Sequence, residues 1–188
     1  MRAAMWKAKI ASNGKKDIVG VEVGVDRGVH AWGMLYDWKE IKTLHLVDNY
    51  SERPLSSHGD ARVTLEEFKD KVKWYLQASL EAVLLFDDNS LDFVYIDASH
   101  AYFDVLRDCI VWYKKVKPGG VLCGHDYRLD WHNMKEKSPT WMNAHGVVKA
   151  IDECVNMKNQ EFEINKEDKK IVLETKTDGS SSDWWLIK

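Results

Sequence analysis

The sequence predicts an α/β chain built on a doubly wound, mostly parallel sheet with helices on both faces. Three observations carry this. Strand-like and helix-like patterns alternate along most of the 188 residues. The strand-like stretches are dense runs of Val, Ile and Leu, as expected for strands buried on both faces. The first of them closes on glycine and runs directly into a helical pattern. A chain of this length buries one full core, and its 45% hydrophobic content is ordinary for a globular domain, here taken as a single domain over 1–188.

The elements follow in order. Residues 1–16, MRAAMWKAKIASNGKK, are basic and read as a short N-terminal helix over the domain; they lack the apolar core of a secretory leader. DIVGVEVGV (17–25) is a buried strand, and Val29, Trp32 and Tyr36 then recur at helical spacing. TLHLVDN (43–49) is a second strand. Leu65, Phe68 and Val72 mark a helix in the charged stretch 60–72, with a short third strand at Val72–Leu76 and a helix from Ser79 to Phe86. LDFVYID (91–97) is a strand introduced by the turn Asp88-Asn89-Ser90. Leu106, Cys109, Ile110 and Tyr113 form the core-facing stripe of a helix that Lys117-Pro118-Gly119-Gly120 ends, and GVLCGHD (120–126) begins the next strand. A long polar loop, 127–145, precedes a helix marked by Val147, Ile151, Cys154 and Val155. Strand-like pieces at 161–165, 170–174 and 184–187 predict an antiparallel strand or hairpin at the C-terminal end.

Composition narrows the function classes. A formal net charge of −3 argues against a nucleic-acid partner, which needs a basic surface to neutralise phosphates. No apolar run is long enough to span a bilayer, so no membrane association is expected. Cys109, Cys123 and Cys154 are odd in number and form no C-x-x-C pair; they read as reduced apolar fillers in a cytoplasmic protein. Oligomeric state is not readable.

In a sheet of this kind ligands bind at the carboxyl ends of the strands. The first strand ends in Glu22-Val23-Gly24-Val25-Asp26-Arg27-Gly28. The glycines let a ligand approach the backbone, and the helix amides that follow face it. The spacing is not the G-x-G-x-x-G of a dinucleotide site, and Glu22 and Asp26 disfavour a pyrophosphate. A ligand bearing an ammonium and a sulfonium, without phosphate, tolerates them. Asp48 ends the second strand, where a carboxylate accepts hydrogen bonds from ribose hydroxyls. Asp97, His100, His125 and Asp126 lie at the ends of two strands predicted to be neighbours, a set suited to acid–base work or metal binding.

These residues resemble the motifs of class I S-adenosylmethionine-dependent methyltransferases. VEVGVDRG is similar to their first motif, with Asp26 in place of its middle glycine, and LHLVDNY to their second. The run SLDFVYIDASHAYFDVLRDCIVWYKKVKPGGVLCGHDY is similar to a branch allied to the macrocin O-methyltransferases and the cephalosporin-hydroxylase-like proteins. The resemblance implies a Rossmann-like, seven-stranded sheet and methyl transfer to a small-molecule acceptor, at oxygen. It implies that Glu22, Gly24 and Gly28 shape the methionine pocket, that Asp48 binds the ribose, that Ser79 lies near the adenine edge, and that Asp97 sits near the methionine amine or a metal. Some relatives hold Mg²⁺ at positions matching Asp97, His125 and Asp126; an imidazole in that set suits a transition metal better.

Methyl transfer needs an aligned nucleophile and a base, and His100 or His125 titrates in the right range, with His100 favoured. Trp131, His132, Trp141 and His145 in the loop 127–145 are candidates for an aromatic lid over the acceptor. Two alternatives stay open at this point: another enzyme on the same fold, such as an NAD-dependent oxidoreductase, and a nucleotide-binding module without catalysis.

Overall fold

The computed structural model describes residues 2–51, 53–54, 56–127, 139–156 and 182–188. Its elements are α1 (Ala3–Ala11), β1 (Ile18–Val23), α2 (Val29–Asp37), β2 (Ile41–Val47), α3 (Ser57–Thr64), β3 (Val72–Tyr75), α4 (Ser79–Ala82), β4 (Leu91–Ile96), α5 (Tyr102–Lys115), β5 (Val116–Tyr127), α6 (Pro139–Asn156) and β6 (Ser182–Ile187). Six strands make one sheet in the order β3-β2-β1-β4-β5-β6. All pairings are parallel except β5 with β6.

Alternation along the strands builds two cores. Val21, Val23, Val94, Ile96 and Leu122 face one side, packed with Cys109 and Trp112 of α5 and Ile151 of α6. Leu44, Leu46, Phe93, Tyr95, Val121 and Cys123 face the other, packed with Met5 of α1 and Met34 and Leu35 of α2. Strand order reverses between β1 and β4, so their carboxyl ends leave a crevice where loops diverge.

The expected sheet is confirmed, with differences of detail. Six strands appear among the described residues instead of seven; the pieces at 161–165 and 170–174 lie outside them. The helix expected from Leu65, Phe68 and Val72 ends at Thr64; Glu66–Phe68 is a 3-10 turn and Val72 opens β3. Leu65 and Phe68 still pack on the core, so their spacing marks burial without marking helix. The stretch from Ser79 is one α-helical turn followed by a 3-10 turn at Val83–Leu85. Helix α5 stops at Lys115, before Lys117-Pro118-Gly119-Gly120, because Val116 already pairs with Leu91 in the sheet. The loop expected to reach residue 145 gives way to α6 at Pro139, a residue suited to a first helical turn.

Candidate active site

A cleft of about 850 Å³ opens at the carboxyl ends of β1, β2 and β4. Val23, Gly24 and Asp48 form its inner end. Ala78, Ser79 and Leu80 line one wall, Asp104, Arg107 and Asp108 of α5 another, and Asp97, His100 and Asp126 the edge toward β5.

The inner end is held by backbone. Asp48 Oδ2 accepts the amides of Val25 (2.9 Å) and Asp26 (3.1 Å), and Oδ1 accepts the amide of Tyr50 (2.8 Å). Asp48 therefore clamps the turn after β1 while facing the cleft. Asp26, at the position of the motif's middle glycine, takes φ 47°, the left-handed conformation that aspartate tolerates better than most side chains. Gly24, at φ +88°, lies against the backbone of Asp97: a Cβ there would stand 2.1 Å from its carbonyl oxygen. The first and fourth strands thus meet at the cleft floor only because position 24 has no side chain.

Three residues proposed for the cofactor behave differently from one another. Glu22 is buried and does not reach the cleft wall. Strand alternation turns it toward α2, where its Oε1 pairs with His30 Nδ1 at 2.8 Å. Burial raises the Glu22 carboxyl and lowers His30 to about 3, so both partners are pushed toward their uncharged forms. Gly28 caps α2 in a left-handed conformation against Leu65, also off the cleft wall. Ser79 does line the cleft; its hydroxyl donates to Asp108 Oδ1 (2.6 Å) and accepts from Trp112 Nε1 (2.8 Å).

The edge toward β5 is a chain of paired charges. Arg2, at the head of α1, donates to Asp97 Oδ2 and to the Tyr95 hydroxyl, both at 2.7 Å. His100 Nε2 lies 2.8 Å from Asp126 Oδ2, and His125 Nδ1 lies 3.1 Å from Asp126 Oδ1. The hydrogen bond to Asp126 raises the His100 pKa, and partial burial opposes it. Donor atoms of Asp97, His100 and Asp126 fall within 4.8 Å of one another. The structure thus gathers His100 with the two carboxylates, in the place expected for His125, whose other ring nitrogen is turned to Asp183 of β6 at 3.9 Å.

Of the lid residues, Trp131, His132 and the side chain of Trp141 lie outside the described residues. His145 sits on α6, off the described cleft wall. Helix α6 nevertheless runs close to the site, since a Cβ on Gly146 would lie 2.2 Å from the His100 carbonyl oxygen. Sequence reasoning missed Arg2, Asp108 and Asp183. Asp108 left a signal: it lies four residues before Trp112 and three after Val105, on the buried side of α5.

Residues 21–127 match the model of a methyltransferase domain family. The chain belongs to that family. Its cofactor is S-adenosylmethionine, and the methyltransferase's cleft suits it: carboxylates at Asp48 and Asp97 face a space wide enough for an adenosyl amino acid. The fold is shared with solved structures at low identity. An O-methyltransferase from Bacillus cereus in complex with SAH is 13% identical, with 98% of this chain and 79% of that one covered and a TM-score of 0.68. A protein provisionally assigned as an rRNA methylase from Clostridium thermocellum is 9% identical, with 100% and 98% covered and a TM-score of 0.67. A precorrin 8w decarboxylase from Methanobacterium thermoautotrophicum is 16% identical, with a TM-score of 0.52; 69% of this chain is covered, and it spans 64% of that protein's length. No curated protein matches the chain in sequence. At such identities these structures report on architecture alone.

Proposed function

We propose that the methyltransferase transfers the methyl group to a hydroxyl of a small-molecule acceptor and that His100 takes the proton. The observation that carries this is the pairing of His100 Nε2 with Asp126 on the cleft edge. Asp126 fixes the ring and favours the tautomer with hydrogen on Nε2, which leaves Nδ1, without a partner among the described residues, as the proton acceptor. S-adenosylmethionine, when bound, supplies a methyl group made electrophilic by its sulfonium. Asp48 is placed to accept the ribose hydroxyls, and the free oxygen of Asp97 to accept the methionine ammonium. Arg2 neutralises the other oxygen of Asp97, which keeps the acceptor end from becoming strongly anionic. The net charge of −3 supports a small acceptor over a nucleic acid. Three buried free thiols support a cytoplasmic, reducing setting.

A second reading rests on the same edge: Asp97, His100 and Asp126 would hold a divalent cation, which would orient the acceptor and lower its pKa. An imidazole in the set favours a transition metal over Mg²⁺. The charges already present speak for the first reading, because Asp97 is met by Arg2 and Asp126 by two histidines. The test is a screen of hydroxylated small molecules with S-adenosylmethionine, repeated after dialysis against EDTA. Turnover that survives EDTA supports His100 acting alone. Turnover lost to EDTA and restored by Mn²⁺ establishes the metal reading in its place.

A further inference from the structure

Two residues that support the acceptor edge come from outside the stretch shared with the methyltransferase family, residues 21–127: Arg2 at the head of α1 and Asp183 of β6. Arg2 Nη1 donates to Asp97 Oδ2 and to the Tyr95 hydroxyl, and that hydroxyl donates to Asp183 Oδ1 at 3.2 Å. Asp183 Oδ2 accepts the Ala4 amide at 3.0 Å, and Ala4, Met5 and Tyr95 are fully buried. The guanidinium is therefore held against Asp97 by α1, β4 and β6 together. It is a built part of the edge and not a surface side chain in passing contact.

Apart from Arg2, this edge has the composition of a cation site. Donor atoms of Asp97, His100 and Asp126 lie within 4.8 Å of one another, near enough to share an ion through bonds of about 2.0–2.4 Å. A divalent ion there would draw on both carboxylates. One of them is already met by a fixed positive charge that does not deprotonate. An ion bound to Asp97 would stand close to that charge and be repelled by it.

We propose that Arg2 takes the place of a divalent cation at Asp97: the chain carries its own positive charge to the acceptor edge and thereby keeps metal ions out. This rests on the reading that the cleft binds S-adenosylmethionine with its acceptor end at Asp97. Arg2 is then a positioning residue. It holds one oxygen of Asp97, leaves the other to the cleft, and leaves the proton to His100 without help from an ion. Neutralising Arg2 should create a metal site where wild type has none.

The test is titration of the whole protein, free of any polyhistidine tag, with Mn²⁺ alone, followed by the paramagnetic resonance of the unbound ion and by calorimetry. Wild type should bind Mn²⁺ only weakly, at about 1 mM or above. Arg2→Gln keeps an N–H for the Tyr95 hydroxyl but loses the charge, and should bind about tenfold tighter or more. Arg2→Met is a second neutral variant with the same expectation. Arg2→Lys keeps the charge and should match wild type. Adding Asp97→Asn to Arg2→Gln should abolish the gained site. The proposal is overturned if wild type binds as tightly as the neutral variants, if none of them binds, if Arg2→Lys gains the site too, or if the gain survives Asp97→Asn. Titration of the same wild-type sample with S-adenosylhomocysteine tests the cleft separately: failure to bind it overturns the cofactor assignment, whatever Mn²⁺ does.

Discussion

The two ends of the cleft are built by different means. At the cofactor end the fixed points are backbone: Gly24 pressed on the Asp97 carbonyl, and Asp48 holding three amides of the turns after β1 and β2. At the acceptor end they are charged side chains paired with one another, from Arg2 and Asp97 to His100, Asp126 and His125. The first arrangement cannot be altered without moving strands. The second can lose a member while the fold stands. Cofactor affinity should therefore follow backbone geometry, and turnover should follow side-chain charge.

The largest effect is expected at the backbone end. Gly24→Val places a branched side chain where even a Cβ lies 2.1 Å from a carbonyl oxygen, at a φ of +88°. Strain and overpacking together should cost about 3 kcal/mol or more, and S-adenosylhomocysteine binding should disappear. Thermal unfolding and calorimetry report both; a variant that binds like wild type breaks the comparison. Next comes His100→Ala, which should lower turnover about 10²–10³-fold while cofactor affinity stays within about threefold. A parallel fall in cofactor affinity would show that the ends are not separable.

The smallest expected effect concerns Asp108, in the cofactor half but charged. Its carboxyl releases a proton less readily in the fold, at about 6, than in the open chain, near 3.8. Burial is the main cause, with Asp104 adding to it and the Ser79 hydrogen bond and Arg107 opposing. The folded state binds more protons between these values, so stability is favoured on the acid side and declines as pH rises through about 6. Asp108→Asn should be about 1–3 kcal/mol more stable than wild type at pH 8, with the gain gone near pH 4. Denaturant melts at the two pH values check this.

How much of this was legible before the structure divides along the same line. The strands, their order of burial and the glycine turn are written in local runs such as DIVGVEVGV and LDFVYID, where pattern and packing agree. Asp48 and Asp97 could be placed because each immediately follows a strand. Glu22 was misplaced because the parity of β1 turns it to α2, and parity depends on which face each helix covers. His100, the favoured base, does stand beside Asp126, but it also joins the carboxylate cluster in which His125 was expected; the other ring nitrogen of His125 faces Asp183, from an antiparallel strand some 58 positions further on. Val72 looked helical by spacing and is a strand residue because Leu44 of β2 pairs with it.

Asp183 also joins stretches that are distant along the chain. It accepts the amide of Ala4 in α1 and the hydroxyl of Tyr95 in β4, beneath the same edge that carries Asp97. The bonds described around Asp48, Ser79 and Asp108 close within residues 23–112, whereas the support under the edge that carries Asp97 waits for β6 to be added. Assembly is thus ordered in time: during synthesis, a growing polypeptide can build the nucleoside cradle well before the last strand emerges to brace the proton-handling side.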